Sequence, residues 1–174
     1  MLESSTIKKT ASIVAFHKRP MKEVLMITVG GMLLAFNAGM INGATTSVEP
    51  GYSTTPMTGN TTNLGISLAL GNLRDSGVRI GLLICNTFGA AISGFLVPNR
   101  TFFIRSPYGR IFKIGAVFLF AASLTDLLGS YSSAYFFIVS VASGIQNAMM
   151  SRYSGGIFRT THISGSITDI GKIS

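Results

Sequence analysis

The charged residues of this chain fall in bands, separated by four long stretches that contain none. The charge-free stretches are residues 24–48, 50–73, 80–99 and 127–151. A helix that crosses the hydrocarbon core of a bilayer needs about 20 predominantly apolar residues. On that basis we predict membrane helices over residues 24–42, 80–97 and 134–150, and a weaker one over residues 111–128, where Lys113 and Asp126 flank a short apolar middle.

The composition supports a membrane protein over a soluble one. Charged residues make up 11% of the chain, against roughly 25% in a typical soluble domain. The net charge of +8 would suit a nucleic-acid partner, but the basic residues lie in short loops between apolar runs and not on one basic face. Such loops are typical of the positive-inside bias of membrane proteins. We therefore predict an all-α, polytopic membrane protein with about 4–6 membrane segments, a lipid-bilayer environment and no nucleic-acid partner.

Catalytic and metal-binding signatures are missing from the sequence. The single cysteine, Cys85, lies inside an apolar run, and the two histidines, His17 and His162, have no zinc-ligand spacing around them. Phosphate-binding loops and nucleophile motifs are also absent. The expectation is a protein that is not an enzyme and holds neither a metal nor a cofactor.

The chain contains an internal repeat. Residues 54–65 align without gaps with residues 160–171, at an offset of 106, and five of the twelve pairs are identical. The helix before each copy carries a second matched pattern, in which small residues recur every four positions and let another backbone approach closely. The residues predicted to pack in this way are Gly39, Asn42, Gly43, Gly144, Gln146 and Asn147.

The distribution of basic residues predicts the path of the polar segment 57–73. If this segment enters and leaves on one side of the membrane, eleven Lys and Arg residues lie inside and two lie outside; if it crosses, the count is seven against six. The positive-inside rule favours re-entry with a cytoplasmic N-terminus. The two repeats then have opposite orientations, which is the inverted repeat found in many transporters.

The resulting organisation has two parts. A basic cytoplasmic tail covers residues 1–23, and a membrane domain covers residues 24–174. Within the membrane domain we assign a first repeat to about 24–97, a linker helix to 111–128 and an incomplete second repeat to about 134–174.

The two Thr/Gly-rich copies are the predicted substrate-binding site. Polar and ionisable groups at membrane depth are functional candidates by default. The candidate residues are Thr58, Gly59, Asn60, Thr61, Asn63, His162, Ser164, Gly165, Thr168 and Asp169. Three simpler roles stay open: Thr58 as an ordinary N-cap, His162 as an interfacial side chain, and Asp169 as a local cap or pair.

These paired motifs resemble a known family. Met57-Thr58-Gly59-Asn60-Thr61 and the segment from Arg159 to Gly165, with their upstream helices, are similar to the YoaK family of bacterial membrane proteins, catalogued as domain of unknown function 1275. The resemblance implies a multi-pass protein of the bacterial plasma or inner membrane, without an established activity. Members often carry a histidine where this chain has Pro56, so a mechanism that needs a histidine in both halves is in doubt.

The chain also ends sooner than the resemblance implies. After Gly65 the first copy continues into a full helix, but only three residues follow Gly171. We therefore expect a C-terminally truncated frame. The leading hypothesis is a small-solute permease for a polar or anionic solute; the alternatives are a non-transporting scaffold or regulatory protein and a non-functional fragment. Homo-oligomerisation is left open.

Overall fold

The computed structural model describes residues 20–48, 51–96, 107–127 and 133–153. Most of these residues lie in α-helices, and no strand occurs among them. In chain order the helices are α1 (Met21–Val48), α2 (Met57–Ala69), α3 (Leu73–Leu96), α4 (Pro107–Leu127) and α5 (Ser133–Tyr153). The predicted all-α class is confirmed for this part of the chain.

Helix α3 begins seven residues before the predicted span at 80. Its start is capped by Asn72, whose side-chain oxygen accepts a hydrogen bond of 3.1 Å from the backbone N–H of Asp75. Asp75 then pairs with Arg79 one turn later. The charges of Asp75 and Arg79 place this turn outside the apolar run of the sequence. In the structure the two charges neutralise each other at an i, i+4 spacing.

Two of the helices are long and apolar enough to cross a membrane within the described ranges: Val24–Val48 of α1 and Leu73–Leu96 of α3. Much of the exposed surface of α1 is formed by large apolar side chains. Its exposed side chains include Leu25, Met26, Val29, Met32, Leu33, Phe36 and Met40. An apolar surface of this extent indicates contact with a membrane or with a partner.

Helices α3 and α5 form the most extensive helix–helix interface in the described structure. Gly89 and Gly144 lie at their crossing: a Cβ on Gly89 would stand 2.1 Å from the carbonyl oxygen of Val141, and one on Gly144 would stand 2.0 Å from that of Asn86. The two backbones therefore touch where both helices lack a side chain. The Ser140 hydroxyl adds a 2.8 Å hydrogen bond to the carbonyl oxygen of Leu82.

The order of the contacts gives the direction of each helix. Gly81 of α3 lies against Phe137 of α5, and Gly89 lies against Ile145, so the two helices run parallel. Helix α1 runs the opposite way, because Asn37 contacts Gln146, whereas Tyr52, just beyond the end of α1, packs edge-on against Phe136 at the start of α5. Helices α1 and α3 are therefore antiparallel.

The segment after α1 folds back along it. The hydroxyls of Thr54 and Thr45 lie 3.1 Å apart, and the Thr55 hydroxyl donates a 3.3 Å hydrogen bond to the carbonyl oxygen of Ala38. Ala38 is ten residues before the end of α1 at Val48, a distance of about 15 Å along the helix. Helix α2 therefore begins beside the middle part of α1 and not at its end.

Helix α2 then returns and is joined to α3 by a tight turn. Gly71 adopts a φ of 70° in this turn, a left-handed conformation that glycine accepts at no steric cost. The side chain of Ser67 contacts that of Asp75, and the side chain of Asn60 contacts the backbone of Arg79. The two helices therefore pack as an antiparallel hairpin with polar contacts along its interior.

Candidate functional site

An ion pair on α3 faces α2 and joins a buried arginine, Arg79, to a partly exposed aspartate, Asp75. The Arg79 Nε donates a 2.8 Å hydrogen bond to a carboxylate oxygen of Asp75, and the two side chains are 8% and 21% exposed. The Arg79 Nη1 donates a second hydrogen bond, of 2.8 Å, to the carbonyl oxygen of Gly51. The guanidinium carbon also lies 5.0 Å from the centre of the Tyr52 ring, a cation–π distance.

The carboxylate of Asp75 is held by more than the arginine. The hydroxyls of Ser67 and Tyr52 both donate to it. A buried charge is tolerated when it is paired and its remaining lone pairs are hydrogen-bonded. We call Gly51, Tyr52, Ser67, Asp75 and Arg79 the arginine cluster; it ties the segment after α1 to both helices of the hairpin.

Asn60 extends the polar interior toward the start of α2. Its side chain is fully buried, and its Nδ2 donates a 3.0 Å hydrogen bond to the carbonyl oxygen of Arg79. Its Oδ1 has no partner among the described residues. Leaving a buried acceptor unpaired costs about 1–3 kcal/mol, so this oxygen is an uncompensated polar atom in the interior of the hairpin.

The other predicted residues of the first motif divide between two faces of α2. Asn63 is half-buried, and its Nδ2 donates a 3.2 Å hydrogen bond to the carbonyl oxygen of Gly51. Thr58, Gly59 and Thr61 are exposed. The structure therefore brings Asn60 and Asn63 into the polar interior and leaves the remaining three on the outer surface.

The start of α2 carries no side-chain cap. The N-cap position is held by Pro56, and Thr58 is already the second residue of the helix. The reading of Thr58 as an N-cap is therefore wrong. The Gly59 N–H donates a 3.2 Å hydrogen bond to the carbonyl oxygen of Pro56, and no side chain caps the N–H groups of Met57 and Thr58, which lie at the positive end of the helix dipole.

The second motif lies outside the described residues. His162, Ser164, Gly165, Thr168 and Asp169 all fall in the undescribed range after Tyr153. Their convergence with the first motif stays a prediction.

The residues predicted to serve helix packing occupy different environments. Gly144 lies at the close crossing of α3 and α5, whereas Gly39 and Gly43 are exposed and would have no atom within 4 Å of an added Cβ. Asn42 accepts a 3.0 Å hydrogen bond from Ser53 in the folded-back segment. Gln146 joins α5 to α1, and Asn147 is half-buried on α5.

The sequence reasoning missed the arginine cluster and Asn37. Arg79 lies just before the span predicted to begin at residue 80, whereas in the structure it is a buried residue of α3. The signal that would have found the pair is the i, i+4 spacing of Asp75 and Arg79 at the edge of an apolar run. Asn37 carries no local signal, since its partner Gln146 is 109 residues away. The described residues also contain no group of three or more His, Cys, Asp or Glu side chains that could hold a metal ion.

The fold and the site define an all-helical protein that combines two helices of membrane-spanning length with a polar half-length helix packed against one of them. The chain belongs to the family described as protein of unknown function (DUF1275), whose model matches residues 30–173. The resemblance to domain of unknown function 1275 is thereby confirmed. Comparison with curated proteins and with solved structures found no match.

Proposed function

We propose that this chain is a multi-pass membrane protein in which α2 is a re-entrant half-helix. The support is the opposite direction of α1 and α3: if α2 crossed the membrane, the helices on either side of it would run the same way. Gly51 lies beside Arg79, so the segment between the two long helices starts and ends on the same side. The charge distribution favours the same path.

The depth of the folded-back segment supports this placement. Thr55 reaches Ala38, about 15 Å from the end of α1, and the hydrocarbon core is about 30 Å thick. Helix α2 therefore begins near the middle of the bilayer. Non-helical backbone at such depth is tolerated only where protein or a water-filled cavity surrounds it, and the segment has α1 on one side and Arg79 on the other.

The proposed function is that of a small-solute permease for a polar or anionic solute, with the start of α2 as half of its site. The observation that carries this proposal is the N-terminus of α2 at mid-depth, which has no side-chain cap. Free N–H groups and a positive dipole end suit anionic or carbonyl-bearing solutes. Transporters commonly place discontinuous helices at such a site.

The second half of the site would come from the second motif. Helices α1 and α5, which precede the two copies, run antiparallel, as an inverted repeat requires. In this proposal the second copy contributes His162 and Asp169 from the opposite side, and the N-terminus of the chain is cytoplasmic.

A non-transporting scaffold is the second candidate. The observation that favours it is the exposed pair Gly39 and Gly43 on α1, with open space around both. Small residues four apart on an apolar helix form a face for close helix association. A scaffold of this kind would use α1 to bind another membrane helix, including a second copy of the chain.

The topology can be tested by cysteine labelling in intact cells. Cys85 is the only cysteine, so a Cys85→Ser background accepts single cysteines. A cysteine at Asn72, in the turn after α2, should react with an impermeant maleimide from outside, whereas one at Lys22 should react only after the membrane is permeabilised. Labelling of the Asn72 position only from the cytoplasm would contradict the re-entrant path.

Transport itself can be tested in proteoliposomes that contain the full chain. We expect flux above that of empty liposomes for at least one member of a panel of small neutral and anionic solutes. Thr58→Leu should lower this flux, and Thr87→Leu, an exposed threonine of α3, should leave it unchanged. Correct insertion with no flux for any solute would reject the permease in favour of the scaffold.

A further inference from the structure

A cavity of about 80 Å³ lies between α1, α4 and α5. Apolar side chains such as Leu34, Ile111 and Ile145 line most of it, and it is partly open to the outside. None of its lining residues belongs to α2 or to the arginine cluster. The cavity is therefore separate from the start of α2, which is the described half of the proposed solute site.

Two side-chain amides provide the polar part of the lining. The Asn37 Nδ2 donates a 3.3 Å hydrogen bond to the Gln146 Oε1, and the Gln146 Nε2 donates a 2.8 Å hydrogen bond to the carbonyl oxygen of Leu34. A primary amide has two N–H donors and an oxygen with two lone pairs. Within the described part of the chain, these two bonds leave one N–H on each amide and the oxygen of Asn37 available.

The lining excludes a charged ligand. No Lys, Arg, Asp, Glu or His side chain lines the cavity, and an unpaired charge in apolar surroundings is strongly disfavoured. A purely apolar ligand would leave the spare amide groups desolvated without a partner, which is also unfavourable. The chemistry that fits is a small uncharged group that both donates and accepts hydrogen bonds.

The size of the cavity sets the shape of the ligand. An apolar cavity of about 150 Å³ holds one benzene, so this smaller cavity holds a head of only a few atoms. The remainder of the ligand must leave through the opening, past the exposed side chains of Phe112 and Ala116. We propose that this cavity binds the polar end of an uncharged single-chain amphiphile, such as a long-chain alcohol, with its tail in the surrounding apolar phase.

The absence of tryptophan from the chain allows a direct test. Phe112→Trp places a single fluorophore at the edge of the cavity, where the native side chain is 56% exposed. The protein in detergent micelles is titrated with ω-bromoundecanol and, separately, with bromoundecane, whose bromine quenches tryptophan. We expect saturable quenching by the alcohol at a concentration about fivefold lower than for the alkane, since one net hydrogen bond is worth about that factor.

Phe120→Trp is the matched control. Phe120 is on the same helix, is 67% exposed and does not line the cavity. Here the two compounds should quench equally and without saturation, as they partition into the micelle. Equal quenching by alcohol and alkane at both positions would overturn the proposal.

Two variants of the cavity separate a specific site from general partitioning. Asn37→Leu with Gln146→Leu should remove the preference for the alcohol. Because this pair also joins α1 to α5, Gly115→Leu is the second variant; a Cβ there stands 4.0 Å from the Ile145 side chain, an ordinary contact. In the Phe112→Trp background Gly115→Leu should abolish saturable quenching while the helical content is unchanged, and retained saturation would contradict the site.

Discussion

The crossing of α3 and α5 makes a quantitative prediction for Gly89→Ala. The new Cβ would stand 2.1 Å from the carbonyl oxygen of Val141, whereas ordinary contacts begin at 3.4 Å. The obstacle is backbone, so no side-chain rotation relieves it and the two helices must move apart by roughly 1 Å or more. Overpacking of this kind costs about 1–3 kcal/mol.

Separation of the helices has a further cost. The hydrogen bond from Ser140 to the carbonyl oxygen of Leu82 crosses the same interface, and interhelical bonds in membranes contribute about 0.6 kcal/mol. The higher helix propensity of alanine returns about 1 kcal/mol. We therefore expect Gly89→Ala to lower the free energy of unfolding by about 1.6 kcal/mol, the midpoint of the overpacking range with these two contributions included.

Gly77→Ala is the matched control on the same helix. Gly77 is exposed, and an added Cβ would have no atom within 4 Å, so only the propensity gain of about 1 kcal/mol remains. The two free energies of unfolding are measured by SDS titration in detergent micelles, followed by far-ultraviolet circular dichroism. If Gly89→Ala is as stable as Gly77→Ala, the close approach of the two backbones is not a property of the protein.

The remaining predictions use the same unfolding assay. Asp75→Asn should cost about 1–3 kcal/mol because it removes the counter-ion of the buried Arg79, whereas Asp75→Leu combined with Arg79→Met should cost clearly less; equal losses would show that the missing counter-ion is not the cause of the destabilisation. Thr54→Val removes the hydrogen bond to Thr45 and should cost about 1 kcal/mol, and an unchanged free energy would contradict the folded-back segment. Ser140→Ala should cost about 0.6 kcal/mol, and a gain in stability would exclude its bond to α3.

The long helices were predictable because apolar length alone indicates them. The predicted spans coincide with parts of α1, α3, α4 and α5. The start of α3 was not predictable in the same way. The charge of Arg79 is neutralised by Asp75 and further stabilised by the carbonyl of Gly51 and the ring of Tyr52. Gly51 and Tyr52 belong to the segment after α1, which only the tertiary fold brings near Arg79.

The helical state of the first motif was also hidden by its polarity. The Ser67 hydroxyl donates to Asp75 of α3. Thr61 and Thr62 are polar for a membrane helix, but the hydroxyl of each donates to the carbonyl oxygen four residues earlier. This bonding satisfies the side chains within the helix itself. The division of the motif into a buried and an exposed face depends on the position of α3, which the sequence does not contain.

The folded-back segment constrains the order in which the chain can be assembled. Its threonines and the asparagines of α2 have no reason to leave water on their own, and they find acceptors only on α1 and α3. The two long helices must therefore be in place before the folded-back segment and α2 can pack between them. The same dependence makes this segment and α2 the first part to be released when either long helix shifts, so in hydrogen exchange their amides should open before those of the crossing between α3 and α5.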